Sequence, residues 1–191
     1  MCRRPVQNPA HAAPTTKRTE SAGKFAAVLG VGGVVFSAFS LAIIAAQRTL
    51  LASLDGGAQG RDAAAHAMHV AAGAIHGLYF RHVPIWLALS AVLILAGRAV
   101  RRGSATGVRI LRVACVLAIA EVVAYVAHAI AGPLPPFVRA VDESTHIGTG
   151  IAWVFGGASV LVGVIFAAPF GWILRNARTG SSSSEPQEAE Q

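Results

Sequence analysis

The fold class this sequence predicts is all-α: an integral membrane four-helix bundle built as two similar helix pairs, with both termini cytoplasmic. Three observations predict it. Apolar runs are long enough to cross a bilayer, charge is sparse, and basic residues gather at alternate connections. Hydrophobic residues make up 54% of the 191-residue chain and charged residues only 13%, a balance that suits a chain whose solvent is mostly lipid. At this length one spanning domain is expected.

Residues 1–24 are polar and contain Arg3, Arg4, Lys17, Arg18 and Lys24 against the single acid Glu20, which predicts a disordered cytoplasmic tail. Residues 25–46 then run for 22 positions without a charge, enough for a helix to cross a hydrocarbon core of about 30 Å. The first span is placed at about 25–47. It is longer than the apolar part of a secretory signal and follows a long polar tail, so cleavage is not expected. Gly30, Gly33, Ser37 and Ser40 fall on one side of it, a small-residue face at which another helix can approach closely.

Residues 48–62 read as a polar connector with Asp55, Gly56, Gly57 and Asp62. Residues 63–80 are apolar with three His, Arg81 and His82 interrupt, and 83–97 are apolar again. Two residues would have to reverse the chain between separate spans, so one span at 81–100 with an outward helical extension from 64 is the economical reading. Pro84 then sits near the first turn of the span or kinks a continuous helix. The next loop carries Arg98, Arg101, Arg102, Arg109 and Arg112 with no acid, and the third span, 113–131, holds Glu121, Tyr125 and His128. The run Gly132-Pro133-Leu134-Pro135-Pro136 ends that helix. Asp142, Glu143, Ser144 and Thr145 offer N-cap chemistry to a fourth span at 147–174. Arg175 and Arg178 follow, the four-span domain closes at 176, and 177–191 form a Ser-rich, acidic tail expected to be disordered.

Twelve of the sixteen Lys and Arg residues lie in the N-terminal tail, the 98–112 loop and the C-terminal flank. The positive-inside bias therefore puts both termini in the cytoplasm and the His-bearing loops on the outer side of a bacterial cytoplasmic (inner) membrane. Position accounts for the net charge of +7, and aromatics are not interleaved with the basic residues, so nucleic acid is not an expected partner. The expected partners are the lipid bilayer and a membrane protein or a second copy of the chain. Arg outnumbers Lys fourteen to two and Ala is abundant, as in proteins of high-GC bacteria. Cys2 and Cys115 both fall near the inner side, with no zinc or redox spacing, so a structural disulfide is not expected.

Glu121 is the most informative single residue. An ionised carboxylate in mid-span costs roughly 2.5–3.5 kcal/mol on insertion scales, so such residues face the bundle interior and find a partner. Tyr125 and His128 follow at i+4 and i+7 and share its helix face. This polar line could relay protons, hold the edge of a quinone or haem, or lock helices together. A second pattern is a repeat: His66-Ala-Met-His69-Val-Ala-Ala-Gly73 returns in shortened form as His146-Ile-Gly-Thr-Gly150, and His69 to Arg98 and His146 to Arg175 both span 29 positions. His66, His69 and His76 share one face of a helical 64–80 segment, while His146, Gly150, Trp153 and Gly157 form a stripe at spacings of three and four. Glycine beside His either clears volume for a flat ring or permits plain helix contact.

Three functions compete on these residues. Haem b is one expectation, with His69 and His146 as axial pair, His76 and His128 in reserve, and Glu121 and Tyr125 tuning the pocket or taking a proton in quinone-associated electron transfer. Metal binding at the outer surface by His66, His69, His146, Asp142 and Glu143 is the second, since imidazole and carboxylate suit Zn²⁺ or Cu²⁺. The third is a cofactor-free accessory or assembly subunit that binds a partner through its small-residue faces. No G-x-S-x-G, Walker loop or H-E-x-x-H occurs, so nothing points to a hydrolase or transferase.

The His-x-x-His-x-x-x-Gly run ahead of a span, the polar residue in the third span and a fourth helix opening with His resemble small four-helix bacterial membrane proteins. More distantly they resemble the His-bearing bundles of haem-A synthase and other membrane cytochromes. The resemblance spans about residues 25–175 and is carried by His66, His69, Gly73 and His146; it implies the bundle fold and a haem between facing His residues. The chain departs from it at 77–82, which lengthens the path from the His motif to the span. Haem ligation by the repeat pair predicts a Soret band with sharp reduced α and β bands from protein made with ample haem, lost in His69→Ala or His146→Ala. A featureless visible spectrum rules it out.

Overall fold

The structure, a computed structural model, describes residues 17–55, 63–145 and 148–177. They form α1 (Lys17–Asp55), α2 (Ala63–Arg101), α3 (Ala105–Ala131), α4 (Leu134–Thr145) and α5 (Gly148–Asn176), with no strand among the described residues. Among the described residues, four stretches are long and apolar enough to cross a membrane: Lys17–Ala46, Ala72–Arg101, Ala105–Arg139 and Ala152–Asn176. The chain is thus an all-helical, four-span candidate membrane protein, as its composition predicts.

Element bounds differ from expectation at four places; the last is the loop expected over 98–112, which is helical except at 102–104, so that the third span begins at Ala105 and takes in Arg109 and Arg112. Residues 17–24, expected in a tail, are the first two turns of α1, where a Glu20–Lys24 ion pair of 2.8 Å one turn apart supports the helix start. Residues 48–55, expected in the connector, extend α1 to Asp55, because Leu50, Leu51, Ala52 and Leu54 are good helix formers with no Gly or Pro among them. The 64–80 extension and the second span are one uninterrupted helix of 39 residues that carries Pro84 inside it.

The third difference is α4. The proline-rich run does end α3, with the Gly132 N–H donating to the His128 carbonyl at 2.9 Å, but it also starts a new helix. Pro135 and Pro136 fall in the first turn of α4, where backbone N–H groups have no acceptor inside the helix, so their lack of one costs nothing there. The first α4 bond runs from the Phe137 N–H to the Pro133 carbonyl, 3.4 Å. This short helix packs on α2 and α5, with Phe137 set edge-on to Phe155 at a ring separation of 5.4 Å.

The α2–α3 reversal is built from two residues. Gly103 adopts φ 78, its N–H donates to the Val100 carbonyl at 2.9 Å, and the Ser104 N–H donates to the Ala99 carbonyl at 3.1 Å, the paired bonds that close a helix on a left-handed glycine. Ser104 then caps α3, its hydroxyl accepting the Gly107 N–H at 3.0 Å.

Contacts fix the order of helix ends. Thr19 reaches the Asn176 carbonyl at 3.5 Å and Phe25 meets Trp172 edge-on at 5.2 Å, so the start of α1 and the end of α5 lie together. The approach of Gly23 to Gly97 adds the end of α2. This is the arginine end of the bundle, holding Arg98, Arg101, Arg102 and Arg175; α4 marks the other. The apolar core fills the arginine half: Ala22, Ala26, Leu93, Ala96, Val100, Leu111, Ala114, Cys115, Ala118 and Ile173. Large apolar side chains such as Val28, Phe39, Val116, Val164 and Trp153 point outward, as lipid-facing residues do.

The small-residue face of α1 meets α2. A Cβ at Gly30 would lie 2.6 Å from the Ser90 carbonyl oxygen, and one at Gly97 would lie 2.5 Å from that of Gly23; Ser37 and Ser40 are buried in the same face. Backbone oxygens cannot retreat without moving a helix. Gly30→Ala therefore lowers stability by about 1–3 kcal/mol through overpacking. Gly32→Ala, where an added Cβ meets nothing within 4 Å, is neutral or up to about 1 kcal/mol stabilising through helix propensity. Denaturant unfolding in detergent micelles separates the two.

Candidate functional site

The α4-side half of the bundle has a polar interior, and it is organised by one histidine. Glu121 lies on the α3 face that carries Tyr125 and His128, and that face meets α2 at Arg81 and His82. The His82 Nδ1 and Glu121 Oε1 atoms are 2.6 Å apart, and the two side chains are only 9% and 11% exposed. On its other side, His82 Nε2 lies 3.2 Å from His128 Nδ1. His128 Nε2 in turn lies 3.3 Å from a guanidinium nitrogen of Arg81. Tyr125 sets its ring edge-on to His82 at 5.3 Å, and Tyr79 meets Tyr125 at 6.5 Å.

Donor and acceptor capacity assigns the protons along this series. A guanidinium can only donate, so His128 Nε2 is an acceptor and the His128 proton resides on Nδ1. That N–H donates to His82 Nε2, which places the His82 proton on Nδ1, and this second N–H donates to the Glu121 carboxylate. Arg81, His128, His82 and Glu121 thus form a directed series of three hydrogen bonds. It starts on a cation, passes through two neutral imidazoles and ends on an anion. The charges at its two ends cancel, which is what a low-dielectric interior requires of a buried carboxylate.

The sequence-derived candidates divide clearly. Glu121, Tyr125 and His128 share one face as their spacing predicts, and all three meet His82. His76 is buried on α2, six residues before His82. His66 and His69 lie within α2 on a stretch whose side chains fall outside the described residues, and His146 lies outside them altogether. Asp142 is exposed and acts locally, its Oδ1 accepting the Gly148 N–H at 2.8 Å and so satisfying a free donor at the start of α5. Glu143 falls on a residue whose side chain is not described. The Gly150–Trp153–Gly157 stripe clears no space for a ring between helices, because it faces out of the bundle. Trp153 is 80% exposed and a Cβ at Gly150 or Gly157 meets nothing within 4 Å. A Cβ at Gly73, beside His69, likewise meets nothing within 4 Å.

His82 and Arg81 were the residues that sequence reasoning missed. The signal was the pair itself, a charge and an imidazole interrupting a long apolar run, which reads as a boundary and not as the partner that Glu121 needs.

The series does not fit iron ligation. Both ring nitrogens of His82 and both of His128 are engaged by neighbours, and the two rings meet directly at 5.4 Å. His128 therefore offers no nitrogen to a haem in the arrangement described. The side chains are strung in series and do not converge, and among the described residues no group of three His, Cys, Asp or Glu could hold a metal ion.

No family model, curated protein or solved structure matches the chain, so its functional reading rests on this geometry. Removing one partner of the buried contact leaves the other stranded: His82→Leu lowers unfolding stability by about 3–5 kcal/mol, and adding Glu121→Leu restores most of the loss. Chemical denaturation of the single and double variants measures the coupling.

Proposed function

We propose that this protein is a proton-relay protein of the bacterial cytoplasmic membrane that supports quinone-associated electron transfer. The observation that carries the reading is the unbroken series from Arg81 through His128 and His82 to Glu121. Imidazole is suited to such a role because it accepts a proton at one nitrogen while releasing one from the other. A carboxylate at the inner terminus provides the stable proton acceptor, and the two tyrosines border it without interrupting it.

Orientation follows from charge. The gathering of arginines at one end supports, through the positive-inside bias, a topology with both termini in the cytoplasm and the Arg81–His128 mouth facing the outer side. Below Glu121 the interior is mostly apolar, with Leu89, Leu93, Leu111, Cys115 and Ala118 between it and the arginine end and Ser90 buried against α1. Among the described residues, no buried carboxylate or imidazole continues the path from Glu121 toward the arginine end. A proton that reaches Glu121 from outside is therefore used locally, by an acceptor that resides at membrane depth. Quinones are lipid-soluble and take up or release protons with their electrons, which makes them the chemical class that fits a relay ending in mid-membrane.

The test is the rate at which Glu121 takes up a proton in liposomes after an outside acid jump, followed by the infrared carbonyl band that Glu121→Gln removes. His82→Phe and His128→Phe each keep an aromatic ring and break the series; each is expected to slow uptake by at least about a hundredfold, the low end of what a positioned proton-transfer group contributes. Unchanged rates in both variants would contradict the relay.

A further inference from the structure

Three features invite a use beyond the transfer of protons to Glu121: the outward Gly150–Gly157 face of α5, the buried thiol of Cys115 and the exposed Arg81 at the mouth of the relay. Nothing in the structure shows what would cover the first, and the second lies within the apolar core. The third has specific geometry.

Arg81 is exposed, whereas His82, the next residue, is buried. Its guanidinium donates to the Nε2 atom of His128, the one nitrogen in the two imidazoles not bonded to the other imidazole or to Glu121. That atom is where a proton from outside would have to enter. The same contact fixes the direction of every bond behind it, because a donor at Nε2 obliges both imidazoles to carry their protons on Nδ1.

Resting on the relay reading, we infer that Arg81 is the latch of the relay: bound to His128 it closes the entry and holds Glu121 as a carboxylate, and released to the surface it opens the series to protons. With Arg81 withdrawn, a hydronium ion gives its proton to His128 Nε2. The His128 Nδ1 proton passes to His82 Nε2, and the His82 Nδ1 proton passes to Glu121 Oε1. One proton enters, one water is left behind, both imidazoles remain neutral with their protons now on Nε2, and Glu121 becomes a neutral carboxyl. Return of Arg81 needs His128 Nε2 to be an acceptor again, so the latch recloses only when Glu121 has given its proton up and the two imidazole protons are back on Nδ1. Guanidinium position and carboxyl charge are thereby tied to one another. Tyr79 and Tyr125 are titratable groups that border the series among the described residues. A long cationic side chain can make this exchange readily, since its stem stays on apolar surface while the head reaches either water or a buried acceptor.

Two measurements on full-length protein in liposomes test the latch. In ¹⁵N-histidine spectra at neutral pH, His82 and His128 are expected as Nδ1–H tautomers, and Arg81→Gln is expected to shift His128 toward Nε2–H. After an outside acid jump, Arg81→Gln should protonate Glu121 faster by about tenfold or more, the rate equivalent of one hydrogen bond from a charged donor. Arg81→Gln combined with His128→Phe should be as slow as His128→Phe alone. Wild-type His128 found as the Nε2–H tautomer would overturn the latch, as would Arg81→Gln no faster than wild type while His82→Phe and His128→Phe remain slow. If those two Phe variants are not slow, it is the relay itself that fails. Arg81→Ala, which also removes the donor, supplies the same comparison if Arg81→Gln does not fold.

Discussion

The contact between His82 and Glu121 is the constraint from which the upper half of this bundle follows. A carboxylate about halfway along a span loses its water and gains little from a low-dielectric surrounding, so it must be neutralised or supplied with donors. Here α2 brings His82 Nδ1 to 2.6 Å from the carboxylate. Filling that need creates another, because the second imidazole nitrogen is then an acceptor that must also be paired. His128 meets it, and Arg81 meets the requirement that His128 passes on. Each buried polar group is satisfied by its neighbour until the last donor is exposed. Replacing such a series with packed apolar residues would usually stabilise a protein or leave it unchanged, which is a reason to look for use beyond stability.

The two halves of the molecule divide the work. The arginine half is a dry core of small and branched side chains, tightened by glycines that let α1 and α2 approach to backbone contact. It sets the relative height of α2 and α3 through the two-residue turn at Gly103 and Ser104. The α4-side half uses that height. Counted from Gly103, His82 lies 21 residues back along α2 and Glu121 lies 18 residues forward along α3, about 32 and 27 Å at the usual helical rise. A rigid hairpin thus delivers the imidazole to the carboxylate, and α4 folds back over α2 and α5 beyond it.

Much of the fold was legible because the relevant signals are local. Four apolar runs and the Pro-rich break announced the spans, and the small-residue face on α1 announced a close helix neighbour, which is α2. Helix α4 was not legible, since Pro135 and Pro136 read as breakers although a first turn tolerates them. Within the site, Glu121, Tyr125 and His128 were found because i, i+4 and i+7 spacing is visible along one helix. His82 was not found, because its meaning is non-local: only the shared turn at Gly103 shows that it stands level with Glu121. The repeat around His69 and His146 drew attention because it is visible in sequence, whereas the polar network described lies one to four turns further along α2 and on α3.

The most direct measurement is the charge state of Glu121 in the full-length protein in lipid at neutral pH, read from infrared spectra of wild type against Glu121→Gln with Glu carboxyls isotopically labelled. A carboxylate signal lost in Glu121→Gln is the expected result, since His82 Nδ1 gives the carboxylate a donor and Arg81 at the far end of the series supplies the balancing charge. A protonated carboxyl band lost in the same variant, with the wild-type bundle intact, would contradict the carboxylate terminus and the relay that uses it as proton acceptor.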